Sequence, residues 1–117
     1  MARVVAFIPD LLFGSNVIGA LQAGGHEPVL VTRAEELAAA VGDADVVVVD
    51  LTADVPERLE AVRPLLGAGD APPRTLAFFS HVETDVRAAA QEAGFDLVVP
   101  RSRMARAGAD LVSQLAT

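Results

Sequence analysis

The chain has 117 residues, 52% of them hydrophobic, with no Cys and a formal net charge of −7. This composition excludes an intrinsically disordered chain, a disulfide framework and, because the apolar runs fall far short of ~20 residues, a membrane span. An acidic chain with few aromatic side chains binds nucleic acid poorly, and without a signal-peptide pattern we expect a cytoplasmic protein with one domain over residues 1–117.

Five short apolar runs predict β-strands. They are too short for helices, are rich in β-branched residues, and lack the polar alternation of a strand with one wet face. Continuous apolar strands of this kind are typical of a parallel sheet covered by helices on both faces. The runs are Arg3–Ile8, Pro28–Val31, Asp45–Val49, Thr75–Phe79 and Asp96–Val99.

The first two segments between the strands have apolar residues at helical spacing. Gly14-Ser15 can cap the first predicted helix, which ends at Gly24-Gly25, where a left-handed residue costs little. Thr32 and Glu35 have the spacing of a capping box and predict the start of the second helix.

Three further helices complete the pattern. Pro56 suits the first turn of the third helix and Pro64 must kink or restart it, while Gly94 ends the fourth. The last helix places one apolar stripe at Met104, Gly108, Leu111, Val112 and Leu115. Alternating strands and helices predict a doubly wound α/β fold with a five-stranded parallel sheet and helices on both faces. For this sheet we infer the flavodoxin-like strand order 2-1-3-4-5.

Polar residues follow the predicted strands where an open α/β sheet binds its ligands, beyond the carboxyl ends. Asp10 follows strand one, Asp50 ends strand three, Ser80 follows strand four and Arg101 follows strand five. In the order 2-1-3-4-5, strands one and three are neighbours, so Asp10 and Asp50 could together hold Mg²⁺. Alternatively, each Asp is a turn residue or a helix cap.

These strand-end residues resemble those of two-component receiver domains, and the resemblance covers the whole chain. The Ala93–Val99 segment before a basic residue adds to the resemblance. The resemblance implies that Asp50 matches the phosphoacceptor, Asp10 a Mg²⁺ ligand, and Ser80 the switch hydroxyl. It also implies that Arg101 stands in place of a Lys that contacts the phosphoryl oxygens.

The sequence also departs from the receiver pattern. Pro9 stands where receivers usually have a second acidic residue beside Asp10, which weakens the expected Mg²⁺ site. Arg101 is not equivalent to Lys, because its head group is planar and larger. His81 follows the switch position, where a small residue is usual, and the loop after Asp50 lacks the usual Pro and Gly. We therefore expect a pseudo-receiver, a signalling module with weak or no phosphoacceptor activity.

A second resemblance is to the opening of a dinucleotide-binding Rossmann domain. Ala23–Arg33 carries it, with Arg33 where a 2′-phosphate would be read. However, Gly14 and Gly19 do not form the G-x-G-x-x-G fingerprint. The alternative function is therefore a small-ligand, anion or nucleotide-binding domain.

In that alternative, the ligand lies in the strand-end crevice near Ser15, Asp10, His81 and Arg101. The basis is that free backbone N–H groups at the start of helix one could bind an anion. Catalysis by His81 with Asp50 is a third hypothesis, which we do not favour over a non-enzymatic role.

The last helix carries three of the nine basic residues within six positions. Positive charge at a helix start opposes the helix macrodipole, so these residues indicate an anionic ligand, a protein partner or a second copy in a homodimer. The alternative is that they are solvated or pair with acids such as Asp110. The expected interaction face comprises Arg101, Arg103, Arg106, Leu111 and Leu115.

Overall fold

A computed structural model describes residues 2–67, 69, 71–80 and 84–117. Its five strands are β1 (Arg3–Phe7), β2 (Glu27–Val31), β3 (Val46–Asp50), β4 (Arg74–Phe79) and β5 (Leu97–Pro100). Its α-helices are α1 (Leu11–Ala23), α2 (Leu37–Ala40), α3 (Val55–Val62), α4 (Thr84–Ala93) and α5 (Arg101–Ala116). Short 3-10 turns at Ala34–Glu36 and Arg63–Leu65 precede α2 and follow α3.

The strands form one parallel sheet in the order β2-β1-β3-β4-β5. Val5 of β1 lies beside Val29 of β2 on one side and Val47 of β3 on the other. The predicted flavodoxin-like fold and its strand order are therefore confirmed. None of the described helices combines the length and the apolar character that a membrane crossing requires.

Each strand contributes to two separate hydrophobic layers, because successive side chains point to opposite faces of the sheet. Val46 and Val48 pack on the face covered by α1 and α5. Val47 and Val49 pack on the opposite face, which α2, α3 and α4 cover. Burial on both faces explains why the strands are continuous apolar runs in the sequence.

Two predicted strand residues lie just outside the sheet and have a different role. Asp45 precedes β3, and its Oδ2 accepts a hydrogen bond from the Arg3 backbone N–H at 2.9 Å. Asp96 precedes β5, and its Oδ2 accepts from the Thr75 backbone N–H at 2.8 Å. Each carboxylate therefore satisfies a main-chain donor at the start of a neighbouring strand.

The predicted starts of the first two helices are wrong. Asp10, not Gly14-Ser15, caps α1, because the Asp10 Oδ1 accepts from the backbone N–H groups of Leu12 and Phe13 at 3.0 and 3.1 Å. The capping box of Thr32 and Glu35 does not form, because Arg33 precedes the 3-10 turn without a side-chain cap bond.

Glu35 instead pairs with Arg33 at 2.6 Å. A hydrogen bond from the Glu35 backbone N–H, and then the Arg33 guanidinium, hold the pKa of the Glu35 carboxyl below its usual value. The turn thus has its own local polar interactions, and α2 is only Leu37–Ala40.

The buried His26 joins three elements at the amino ends of the strands. Its Nδ1 accepts from the Ala2 backbone N–H at 3.1 Å, so the Nε2 atom carries the ring proton in the neutral tautomer. Nε2 lies 3.2 Å from the Ala109 carbonyl oxygen and 3.0 Å from the Ser113 Oγ, both on α5. His26 is therefore a structural residue that ties α5 to β1.

Candidate functional site

The predicted strand-end residues meet at one edge of the sheet, as expected for parallel strands. Asp10 lies beyond β1, Asp50 ends β3, Ser80 follows β4 and Arg101 begins α5 directly after β5. His81 lies outside the described residues. The edge therefore contains two carboxylates that follow the adjacent strands β1 and β3, a half-buried hydroxyl and a basic side chain.

Asp50 is the buried carboxylate of this edge. Its side chain is 3% exposed. The Thr52 backbone N–H donates to Asp50 Oδ1 at 2.8 Å, and the Thr52 hydroxyl donates to the same oxygen at 2.5 Å. This arrangement is an Asx turn extended by a hydroxyl bond, and it satisfies one carboxylate oxygen from the adjoining loop.

The other carboxylate oxygen faces Arg58, a residue that the sequence interpretation did not identify. Arg58 Nη1 lies 3.4 Å from Asp50 Oδ2 and donates to the Asp50 carbonyl oxygen at 3.0 Å. Arg58 Nη2 lies 3.7 Å from Asp54 Oδ2. The Arg58 side chain is only 12% exposed, so the guanidinium closes the crevice over Asp50.

A sequence signal for Arg58 does exist. Pro56 favours the first turn of a helix, which places Arg58 near the amino end of α3 and therefore near the carboxyl end of β3. However, the same residue would be solvent-exposed if the loop between β3 and α3 were one residue longer or shorter, because successive helical residues are rotated by about 100°.

Asp10 interacts with the start of α1 and with Arg101. Its Oδ1 caps α1, and its Oδ2 lies 4.0 Å from Arg101 Nη2. Both side chains are about half exposed, at 53% and 50%. This ion pair is therefore weak, and the cap is the stronger role of Asp10.

Arg101 also stacks on an aromatic pair. Its Cζ lies 4.2 Å from the centroid of the Phe13 ring, and the Phe13 and Phe78 rings are 5.2 Å apart at 53°. An open groove of about 420 Å³ beside this stack is lined by Phe13, Ser80, Arg101, Ser102 and Ala105. Arg101 is thus held toward α1, with Ser80 across the groove.

The residues at this edge do not fit Mg²⁺ in this arrangement. Mg²⁺ needs carboxylate oxygens free for octahedral coordination. Asp50 is engaged by Thr52 and Arg58, while Asp10 is engaged by α1 and Arg101. Across the described ranges, no group of three His, Asp or Glu side chains is arranged to hold a metal ion.

Two other predicted site residues lie elsewhere. Ser15 is in the second turn of α1, and the Gly14 N–H just before it already bonds to the Asp10 carbonyl oxygen at 2.8 Å. The prediction of free N–H groups for an anion at Ser15 is therefore wrong, because the helix begins four residues earlier.

Only part of the predicted interaction face on α5 is exposed. Arg103 and Arg106 are exposed. Leu111 is 1% exposed and Leu115 packs against the same core, so these two leucines do not belong to an exposed face. The apolar stripe of α5 packs on the sheet, and its basic residues point to solvent.

No protein-family model matches the sequence, and no curated protein matches it. Solved structures do match. A response regulator from Thermotoga maritima has a TM-score of 0.82 and 16% identity, covering 97% of this chain and 96% of that one. A response regulator receiver protein from Burkholderia phymatum has a TM-score of 0.83 and 18% identity, covering 99% and 95%. This chain has the receiver-domain fold.

A receiver domain from Clostridium thermocellum gives a similar result, with a TM-score of 0.79 and 13% identity over 99% of this chain and 94% of that one. The fold resemblance stated from the sequence is therefore confirmed, and the Rossmann alternative is not favoured. Within the receiver fold, Asp50 occupies the end of the central strand β3, between β1 and β4.

Proposed function

We propose that this chain is a receiver-like signalling module that acts through contacts with another protein and has little or no phosphoacceptor activity at Asp50. The observation that carries the proposal is the state of the Asp50 carboxylate. Its side chain is 3% exposed, and Thr52 and Arg58 engage its two oxygens. The receiver fold supports a role in signalling, and this closed crevice supports a pseudo-receiver.

Phosphoryl transfer to a carboxylate has two requirements. One oxygen must reach the phosphorus in line with the leaving group, and cations must neutralise the charge on the transferred group. At Asp50, Oδ1 accepts two hydrogen bonds from Thr52, and Oδ2 faces the Arg58 guanidinium. A donor would first have to break these contacts, so we expect slow or absent transfer.

The α5 helix supplies the contact surface in this proposal. Arg103 and Arg106 are exposed, and neither pairs with an acidic side chain among the residues described. Basic residues in the first turn of α5 oppose the helix macrodipole and lower the stability of the helix. No acidic residue in that turn offsets them. This charge favours an acidic surface on a protein partner or on a second copy of this acidic chain.

An amide NMR titration with Mg²⁺ and then beryllofluoride tests the phosphoacceptor part. We expect no saturable shift at Asp50, Ser80 or Arg101 at millimolar Mg²⁺. Saturable shifts at these residues that disappear in Asp50→Asn would mean that Asp50 is a working acceptor, and the proposal would be wrong. NMR suits this chain because it has neither Trp nor Tyr to report by fluorescence.

The same spectra test the contact surface. If a second copy is the partner, amide shifts on α5 should depend on protein concentration and should vanish in Arg103→Glu/Arg106→Glu. Gln114→Glu is the matched control, because it adds an acid at an exposed position of α5 beyond the basic turns. Concentration-dependent shifts that survive the double substitution would place self-association on another face.

A further inference from the structure

We propose that the Arg58 guanidinium takes the place of a metal cation beside Asp50 and thereby excludes divalent cations from this position. The inference rests on the proposed function, in which Asp50 is not an efficient phosphoacceptor. It goes further because it assigns the low phosphoacceptor activity to Arg58, a residue that does not follow any of the strands directly.

The atoms around Arg58 are of the kinds that bind a hard divalent cation. Arg58 meets the Asp50 carboxylate at 3.4 Å, the Asp50 main-chain carbonyl at 3.0 Å and the Asp54 carboxylate at 3.7 Å. Two carboxylates and a carbonyl oxygen are typical oxygen ligands of Mg²⁺ and Ca²⁺. Here they surround a side-chain cation instead.

The backbone supports this arrangement at Asp54. Asp54 precedes α3 with φ 48° and ψ 44°, a left-handed conformation that is uncommon for a residue other than Gly. Asp is a favoured N-cap, yet the Asp54 carboxylate makes no cap hydrogen bond and lies 3.7 Å from Arg58 Nη2. The loop therefore presents its second carboxylate to the guanidinium.

Charge explains the exclusion. The guanidinium group of an arginine is a cation in proteins, and it donates hydrogen bonds but accepts none. It is 12% exposed, and water screens charges poorly at such a site. A divalent cation at Asp50 would lie within a few ångströms of this charge, and its repulsion would cancel much of the attraction to the two carboxylates.

The test compares charge-removing substitutions at Arg58 with a matched one nearby. Arg58→Gln keeps a hydrogen-bond donor and removes the charge, and Arg58→Ala removes both. Arg63→Gln is the control, because Arg63 is 60% exposed and pairs only with Glu60 in the described chain. Melting by circular dichroism and amide NMR are both recorded against Mg²⁺ concentration, since a ligand that binds the folded state raises the melting temperature.

We expect Mg²⁺ to bind Arg58→Gln and Arg58→Ala at least about tenfold more tightly than the unsubstituted chain, because the repelling charge is gone. Amide shifts should centre on Asp50 and Thr52 and should be lost in Asp50→Asn/Arg58→Gln. Arg63→Gln should behave like the unsubstituted chain.

Three outcomes separate this inference from the proposed function. If Arg58→Gln folds but shows neither amide shifts nor a higher melting temperature at millimolar Mg²⁺, the inference is wrong while the proposed function stands. If the unsubstituted chain itself binds Mg²⁺ and beryllofluoride at Asp50, the proposed function fails. If both Arg58 variants are unfolded without metal, refolding on addition of Mg²⁺ supports the inference, and failure to refold overturns it.

Discussion

Arg58→Met is expected to lower the free energy of unfolding by about 3 kcal/mol, which is a large part of the 5–15 kcal/mol typical of a domain. The substitution leaves the Asp50 carboxylate buried, with its side chain 3% exposed, and without its counter-ion. Thr52 satisfies one oxygen, but hydrogen bonds do not replace a neutralising charge. Urea denaturation followed by circular dichroism measures the loss.

The origin of this loss is tested by a double-mutant cycle. Asp50→Asn removes the charge and keeps an oxygen that can accept from Thr52. In that background we expect Arg58→Met to cost about 1 kcal/mol, because packing, the bond to the Asp50 carbonyl and the exposed ion pair with Asp54 are lost. Equal costs in both backgrounds would show that the pair does not couple and that burial of Asp50 has another origin.

Phe78→Ala is expected to lower the free energy of unfolding by about 3–5 kcal/mol, the usual range for a buried aromatic truncated to Ala. Phe78 is 0% exposed on β4 and packs against the Phe13 ring, which also contacts the Arg101 guanidinium. The substitution therefore removes core volume and the support of the aromatic stack beside the crevice. Thermal and urea unfolding measure the loss of stability that follows from the lost core volume.

Phe79→Ala is the matched control, because Phe79 is 4% exposed and packs in the opposite layer. We expect a comparable loss of stability from Phe79→Ala. Only Phe78→Ala should shift the Arg101 Nε–H resonance, since only Phe78 supports Phe13. Similar Arg101 shifts in both variants would mean that the stack does not position Arg101.

Most of the fold was predictable from sequence because its signal is local. The valines before Asp50 are apolar without alternation, and burial of β3 on both faces is the direct cause. Helix starts were less predictable. Asp10 and Ser15 can each cap a helix, and only the packing of α1 beside β2, with Gly14 close to Leu30, selects the earlier start.

The candidate site was predictable in part for the same reason. Parallel strands bring their carboxyl ends together, so Asp10, Asp50, Ser80 and Arg101 could be assigned to one edge before any coordinates. Which charges pair there could not be assigned. Long side chains such as Arg58 and Arg101 reach several ångströms, and each has acidic residues at short range along the chain.

The sequence alone determined the parallel sheet and the edge that holds the polar residues, because apolar runs and helical spacing act within short stretches of chain. The strand order 2-1-3-4-5 was an inference that the structure confirmed. Only the tertiary structure decided that Arg58, eight positions after Asp50, covers that carboxylate, while Arg101 lies over Phe13 near Asp10. That choice depends on where α1, α3 and α5 dock on the sheet. Docking is set by packing between residues far apart in the chain, for which a linear pattern carries little information.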